Sequence, residues 1–199
     1  MPTARAQHAA EDFNRFAERM AMPGRCDPTL SFVTPELSNA AVIWREKAAG
    51  REMPLRRDVN ARTLKTFLPH VMIVDIVEDH KRRRYRIRLS GTSISGLLGD
   101  HTGKFIDEAI VSPFRERWSA VIDAALSARE PLRIAGRLEY CGQDYLSLEL
   151  LLAPIGTRDE AIEAVLVVGY ARSSATHVIN SLVRNTVSGA TANQSALAR

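Results

Sequence analysis

One segment, Leu68 to Gly103, constrains the fold more than any other. Leu68-Pro69-His70 leads into an apolar run from Val71 to Val77, Asp79-His80-Lys81 makes a charged turn, and Arg84 to Leu89 alternates. Two strand-like runs joined by a short polar turn predict a hairpin. Tyr85, Ile87 and Leu89 share one side of the second strand, and Arg84, Arg86 and Arg88 share the other. The corner Ser90-Gly91-Thr92 and the glycine-punctuated stretch Gly96 to Gly103 follow. They leave room only for short helical turns, expected from Thr92 to Ile110.

Downstream, Phe114, Trp118, Val121, Ile122 and Ala125 lie on one face of a helix expected from Ser112 to Ala128. Three further strands are expected at Leu132 to Tyr140, Tyr145 to Leu152 and Ile162 to Tyr170. Cys141-Gly142-Gln143 and Gly156-Thr157-Arg158-Asp159 supply the turns between them. The order strand, strand, helices, strand, strand, strand predicts one five-stranded antiparallel sheet with helices on one face, an α+β fold.

Upstream, Thr34-Pro35-Glu36 supplies a cap, a first-turn proline and a first-turn acid. Leu37, Ala40, Ala41, Trp44 and Ala48 mark one face of the helix that follows, and Gly50 closes it. Asp58 to Phe67 reads as a short helix stopped before Pro69. In residues 1–33, Phe13, Phe16 and Met20 fall at helical spacing on a segment ended by Pro23-Gly24. This predicts a weakly structured segment holding a frayed or partner-dependent helix. The expected organisation is residues 1–33 as that segment, 34–68 as a helical extension, 69–171 as the sheet domain, and 172–199 as a partly disordered tail.

Composition matters mainly for what it excludes. The 199 residues are 45% hydrophobic, enough for one domain with a core plus flanks. Lysine and arginine number 27 against 23 acids, an excess of +4 that is too slight to argue for nucleic acid. Cys26 and Cys141 make no disulfide framework, which fits a reducing cytoplasm. No apolar run approaches the roughly 20 residues that span a bilayer, and the first 22 residues lack a signal-peptide core.

From Trp44 to about Ala171 the chain resembles the fifth PAS-fold family, bacterial proteins usually built as one PAS domain with short flanks. The resemblance rests on pieces in order: Trp44 leading to Gly50-Arg51 and Met53-Pro54, Arg57-Asp58-Val59, Leu68-Pro69-His70, Tyr85-Arg86, Leu89-Ser90-Gly91-Thr92, Leu98-Gly99-Asp100 and Thr102-Gly103. Asn60-Ala61 stands where Asp-Pro is common in the family, and asparagine caps a helix as well. What the resemblance implies is a sensory or protein-docking module with no uniform ligand. The expected function is regulation of other signalling proteins by contact, without catalysis. No output segment is recognised after Tyr170, so any output is expected to pass through another chain. The alternative is a sensor whose small-molecule pocket gates that contact.

Alternation places Met72, Tyr85, Tyr140, Leu148 and Leu166 on the inner sheet face, with Trp118 facing them from the long helix, as the candidate pocket. The same bulky set also suits a filled core. No cofactor is expected, although an unknown small ligand remains open. The histidines are scattered, and His101 near the pocket loops reads as a solvated residue rather than a haem ligand. No metal cluster, phosphate loop or Ser-His-Asp arrangement is present. The run Lys81-Arg82-Arg83-Arg84 reads either as a solvated edge or as a docking stripe for an acidic partner or a nucleotide. Ile73, Val165 and Val167 are expected on the outer face, with Leu37 and Trp44 on the helix beside them, as the docking candidates. Because three of that helix's five apolar residues are alanines, part of the stripe is expected to stay bare and to drive homodimerisation.

Overall fold

The expected hairpin forms one margin of an antiparallel sheet. Residues Val71–Asp79 (β2) and Arg82–Ser90 (β3) pair with a bulge between Ile73 and Val74, which leaves Arg88 without a cross-strand partner. The computed structural model describes residues 1–80, 82–137 and 146–173. In chain order the remaining elements are α1 (Ala4–Arg19), β1 (Gly24–Asp27), α2 (Pro35–Ala48), α3 (Thr92–Leu98), α4 (Ile106–Ala109), α5 (Phe114–Ala128), β4 (Leu132–Arg137), β5 (Leu146–Gly156) and β6 (Ile162–Ser173). The six strands lie in the order β1-β4-β5-β6-β2-β3, all neighbours antiparallel. The α+β class and the antiparallel sheet stand as expected, with one strand more than the five anticipated. Tyr140, the turn Cys141-Gly142-Gln143, Tyr145 and residues 174–199 lie outside the described residues.

The extra strand corrects the reading of residues 1–33. Thr3 caps α1, its hydroxyl accepting from the Ala6 amide at 3.2 Å, and Ala6, Ala9, Ala10, Phe13 and Ala17 are buried along one face. Phe16 is only half-buried and Met20 is exposed. The packing stripe is therefore made of alanines, which let α1 approach α5 closely, and hydrophobic-residue spacing alone does not display it. Asn14 ties the helix to β1: its Oδ1 accepts from the Cys26 amide at 2.8 Å and its Nδ2 donates to the Cys26 carbonyl at 3.1 Å. β1 can pair with β4 because Gly136 has no side chain, since a Cβ there would sit 2.0 Å from the Pro23 carbonyl oxygen. Gly136→Ala is accordingly expected to cost about 1–3 kcal/mol as an overpacking lesion. Hydrogen exchange should speed at the Arg25 to Asp27 amides first. Unchanged protection there would mean that β1 adapts.

Two clusters of buried side chains sandwich the sheet. The inner one joins α1 and α5 to Met72, Val74, Ile134, Leu150, Val165 and Val167. The outer one joins α2 and the 53–67 segment to Val71, Ile73, Leu151, Ile155, Leu166 and Val168. Helical cover thus lies on both faces, not one. Residues 34–68 are part of this fold rather than an appendage. Asp58 to Phe67 is not a regular helix. A 3-10 turn at Arg56–Asp58 is followed by turns in which Asn60 Oδ1 accepts from the Arg62 and Thr63 amides, both at 3.1 Å. Such local bonds hold turns rather than propagate a helix, and they deliver Leu64 and Phe67 to the outer cluster.

Candidate functional site

A cavity of about 90 Å³ lies between α5, the Met22–Gly24 approach to β1, and the inner faces of β4 and β5. Trp118 and Val121 from α5 meet Ile134, Leu148 and Leu150 from the sheet, with Arg117 and Arg137 also in the lining. In this measure one water needs about 10–15 Å³, so the space holds several waters. Small-molecule sites run to about 300–1,000 Å³.

Of the residues expected to form the pocket, Trp118 and Leu148 line this cavity. Met72 and Tyr85 belong to the surrounding core, and Tyr140 lies outside the described residues. Tyr85 donates its hydroxyl to Asp123 Oδ1 on α5. Burial first, and the Asp123 carboxylate next, push its phenol well above the usual range, so it stays protonated at neutral pH. The sequence reading missed Met22, Pro23 and Gly24, because it gave residues 1–33 no place in the sheet.

Leu166 is a correction. It stands opposite Ile73 and belongs to the outer cluster, whereas Val165 and Val167 stand opposite Val74 and Met72 on the inner face. The expected phase of β6 is therefore one residue out. From Ala164 to Gly169 the strand is buried on both faces, so no polar alternation reveals its orientation. Leu37, Trp44, Ile73, Val165 and Val167 are all buried within one chain, at 0–6% exposure. Trp44 Nε1 donates to the Pro154 carbonyl at 2.8 Å. The bare stripe that argued for a second copy is filled by α2 together with Met53, Val59, Leu64 and Phe67.

Lys81 lies outside the described residues, and the other three members of the basic run, Arg82, Arg83 and Arg84, are ion-paired within the chain. Arg84 holds Asp107 at 2.8 Å and Glu108 at 2.5 Å, and lies 3.8 Å over the Phe105 ring. Arg88 and Arg86 reach the buried Asp75 at 2.8 and 3.2 Å. Guanidiniums engaged in this way present little free charge to an acidic partner. His101 Nε2 sits 3.0 Å from the Leu98 carbonyl oxygen and does not line the cavity. Cys26 is buried, and burial followed by Asp27 pushes its thiol up to about 12, which leaves it inert as a nucleophile. Among the described residues no group of three or more metal-ligating side chains converges, and no helix is long and apolar enough to cross a membrane.

A second clamp, unforeseen in the sequence, joins the chain ahead of α2 to the outer sheet face. Glu149 on β5 accepts from the Val33 and Thr34 amides at 2.9 and 2.8 Å and from Arg133 Nε at 2.6 Å. Burial alone would raise its pKa, but bonds from Thr34, Val33 and Arg133 outweigh it and hold the carboxyl below the usual glutamate range.

A match to a family model agrees with this architecture. The model of the family PAS_5, described as a PAS domain, matches residues 34–170, well over half of the chain. No curated protein matches. Among solved structures, an RNA-binding light-oxygen-voltage receptor is similar at 10% identity and a TM-score of 0.40, covering 96% of this chain and 53% of that one. The chain thus spans about half the length of that receptor. A sensory box sensor histidine kinase from Vibrio cholerae is similar at 17% identity and a TM-score of 0.34, covering 68% of this chain and 97% of that one.

Proposed function

The chain belongs to the PAS_5 family of PAS domains, sensory and signalling modules, and from that premise we propose that it regulates other signalling proteins by direct contact, without catalysing a reaction of its own. The observation that carries this reading is the packed inner face. The space beneath α5 amounts to about 90 Å³, well short of what a resident cofactor or metabolite occupies. The partners in this reading are other signalling proteins, and the contact surfaces are sought outside the buried outer stripe. Val42 on α2 and Val111 ahead of α5, at 49% and 67% exposure, are apolar starting points.

A second reading is a sensor whose ligand gates that contact. It draws support from the position and chemistry of the same cavity, which is apolar, walled by Trp118, and bounded by the Met22–Gly24 segment. Native mass spectrometry of the chain purified from its own host separates the two. The contact module is expected to fly at the mass of the polypeptide. A stoichiometric small molecule that co-purifies, and is lost from Trp118→Ala, would overturn the first reading in favour of the sensor.

A further inference from the structure

The 3-10 turn at Arg56–Asp58 lies against the β5–β6 turn at the end of the sheet. Leu55 bridges to Gly156, whose amide donates to the Pro54 carbonyl at 2.9 Å. Gly156 permits this approach, because a Cβ there would come within 2.8 Å of the Met53 side chain. Between the two turns runs a cleft of about 210 Å³ whose charged lining is Arg56, Arg57, Arg158 and Glu163. Asp159 and Glu160, next in the same turn, do not line it.

Two buried polar atoms at this cleft have no hydrogen-bond partner, Arg56 Nη1 and Thr157 Oγ1. A buried donor without a partner has lost its hydration with nothing in return, so two in the lining of one cleft need an explanation. Asp75, a buried carboxylate that acts on Arg56, is already held by Arg86 and Arg88. Burial first, and the Arg88 guanidinium next, push Arg56 below the usual guanidinium range, and the Asp75 and Glu163 carboxylates offset this only in part. Arg57 is 3.8 Å from Asp58 Oδ1, and Arg158 on its exposed turn has no ion pair among the described residues.

We propose that this cleft binds a phosphoryl group, with the Arg56 and Arg158 guanidiniums and the Thr157 hydroxyl donating to its oxygens. Three guanidiniums line the cleft against the Glu163 carboxylate, with Asp58 offsetting Arg57 in part, so the lining keeps a net positive charge that suits a phosphate anion. Arginine forks suit tetrahedral oxyanions because they donate in parallel pairs. The volume exceeds that of a bare anion and leaves room for the first part of an organic remainder, as in a nucleoside monophosphate. The site is separate from the cavity beneath α5 and does not depend on the contact-module reading.

The test is an NMR titration of the full chain with inorganic phosphate and, separately, with AMP, at constant ionic strength in chloride. Saturable shifts centred on the Thr157 and Arg158 amides are expected with at least one probe by about 10 mM. Saturation by both, tighter for AMP, assigns a phosphomonoester, and saturation by phosphate alone assigns the free anion. Arg158→Ala, on an exposed turn where folding is indifferent, is expected to weaken binding about tenfold or more, the worth of one charge-assisted bond. Arg56→Gln should do the same. Glu163→Gln is expected to tighten binding a few-fold by removing the opposing charge. No saturable shift with either probe, or affinity unchanged in both arginine variants, overturns the proposal.

Discussion

Val167→Glu is expected to abolish the folded state rather than loosen an assembly. Val167 lies opposite Met72 on β2 and Leu152 on β5 and is fully buried in the inner cluster. The substitution removes a buried apolar side chain and sets a carboxyl within the apolar inner cluster. The glutamate must either stay protonated or drag water into the core. Changes of this kind cost about 4–5 kcal/mol or more, against a whole-domain stability of about 5–15 kcal/mol. Urea unfolding followed by circular dichroism is expected to show a variant unfolded or nearly so in buffer. Val42→Glu, at a half-exposed position on the solvent side of α2, should unfold within about 0.5 kcal/mol of the unmodified chain. A native-like Val167→Glu protein with reduced mass in light scattering would restore the sequence reading, in which Val167 faces a second copy.

The second large effect is expected at Glu149. Glu149→Ala strips the acceptor from the Val33 and Thr34 amides and leaves Arg133, itself mostly covered, facing only Asp27, at 3.5 Å, among the described residues. Breaking one partner of such a pair costs about 3 kcal/mol. The carboxyl is held below its unfolded-state value by these bonds, so the folded state favours its ionised form. That contribution is present in full above the ordinary glutamate range, and it fades as pH falls through that range to the depressed folded value. Asp27 is depressed too. Burial opposes the shift, while bonds from Thr29 and Ser31 and the Arg133 charge outweigh it, so it acts in the same direction. Urea midpoints measured from neutral to acid pH should therefore fall for the unmodified chain, and the gap to Glu149→Ala should narrow as pH drops. A gap that stays constant with pH would show that the alanine acts through lost packing alone.

Both effects lie at positions where the sequence reading was incomplete, and for related reasons. In Leu146 to Leu150 the glutamate takes a polar position in an alternation with leucines, so it reads as the solvent side of a strand. Its partners are backbone amides 115 and 116 residues away, and amides carry no residue-type signature. The fully buried stretch of β6 offers no contrast between faces, so its phase comes only from pairing with β2 and β5. The alanine stripe of α1 is nearly silent on hydropathy because its contribution is closeness of approach rather than apolar area. The Arg56–Thr157 cleft likewise joins residues about a hundred positions apart, through a glycine whose significance is steric.

Where chemistry and period agree locally, the sequence was sufficient. The β2–β3 hairpin, the Thr34-Pro35-Glu36 start of α2, the apolar face of α5, and the choice of Leu37 and Trp44 as residues that must lie against the sheet all follow from short-range pattern. Turn chemistry, capping and amphipathic period act within one or two helical turns, and they determined the α+β class and the β2–β3 pairing. Tertiary structure alone decided that α1 and β1 complete the inner layer and that one chain covers its own outer face. It also decided the phase of β6 and which polar groups are paired: Glu149 and Asp75 are satisfied, while Arg56 and Thr157 are left with free donors. These outcomes depend on which distant surfaces meet, and therefore on volumes and hydrogen-bond partners that exist only once the layers have closed.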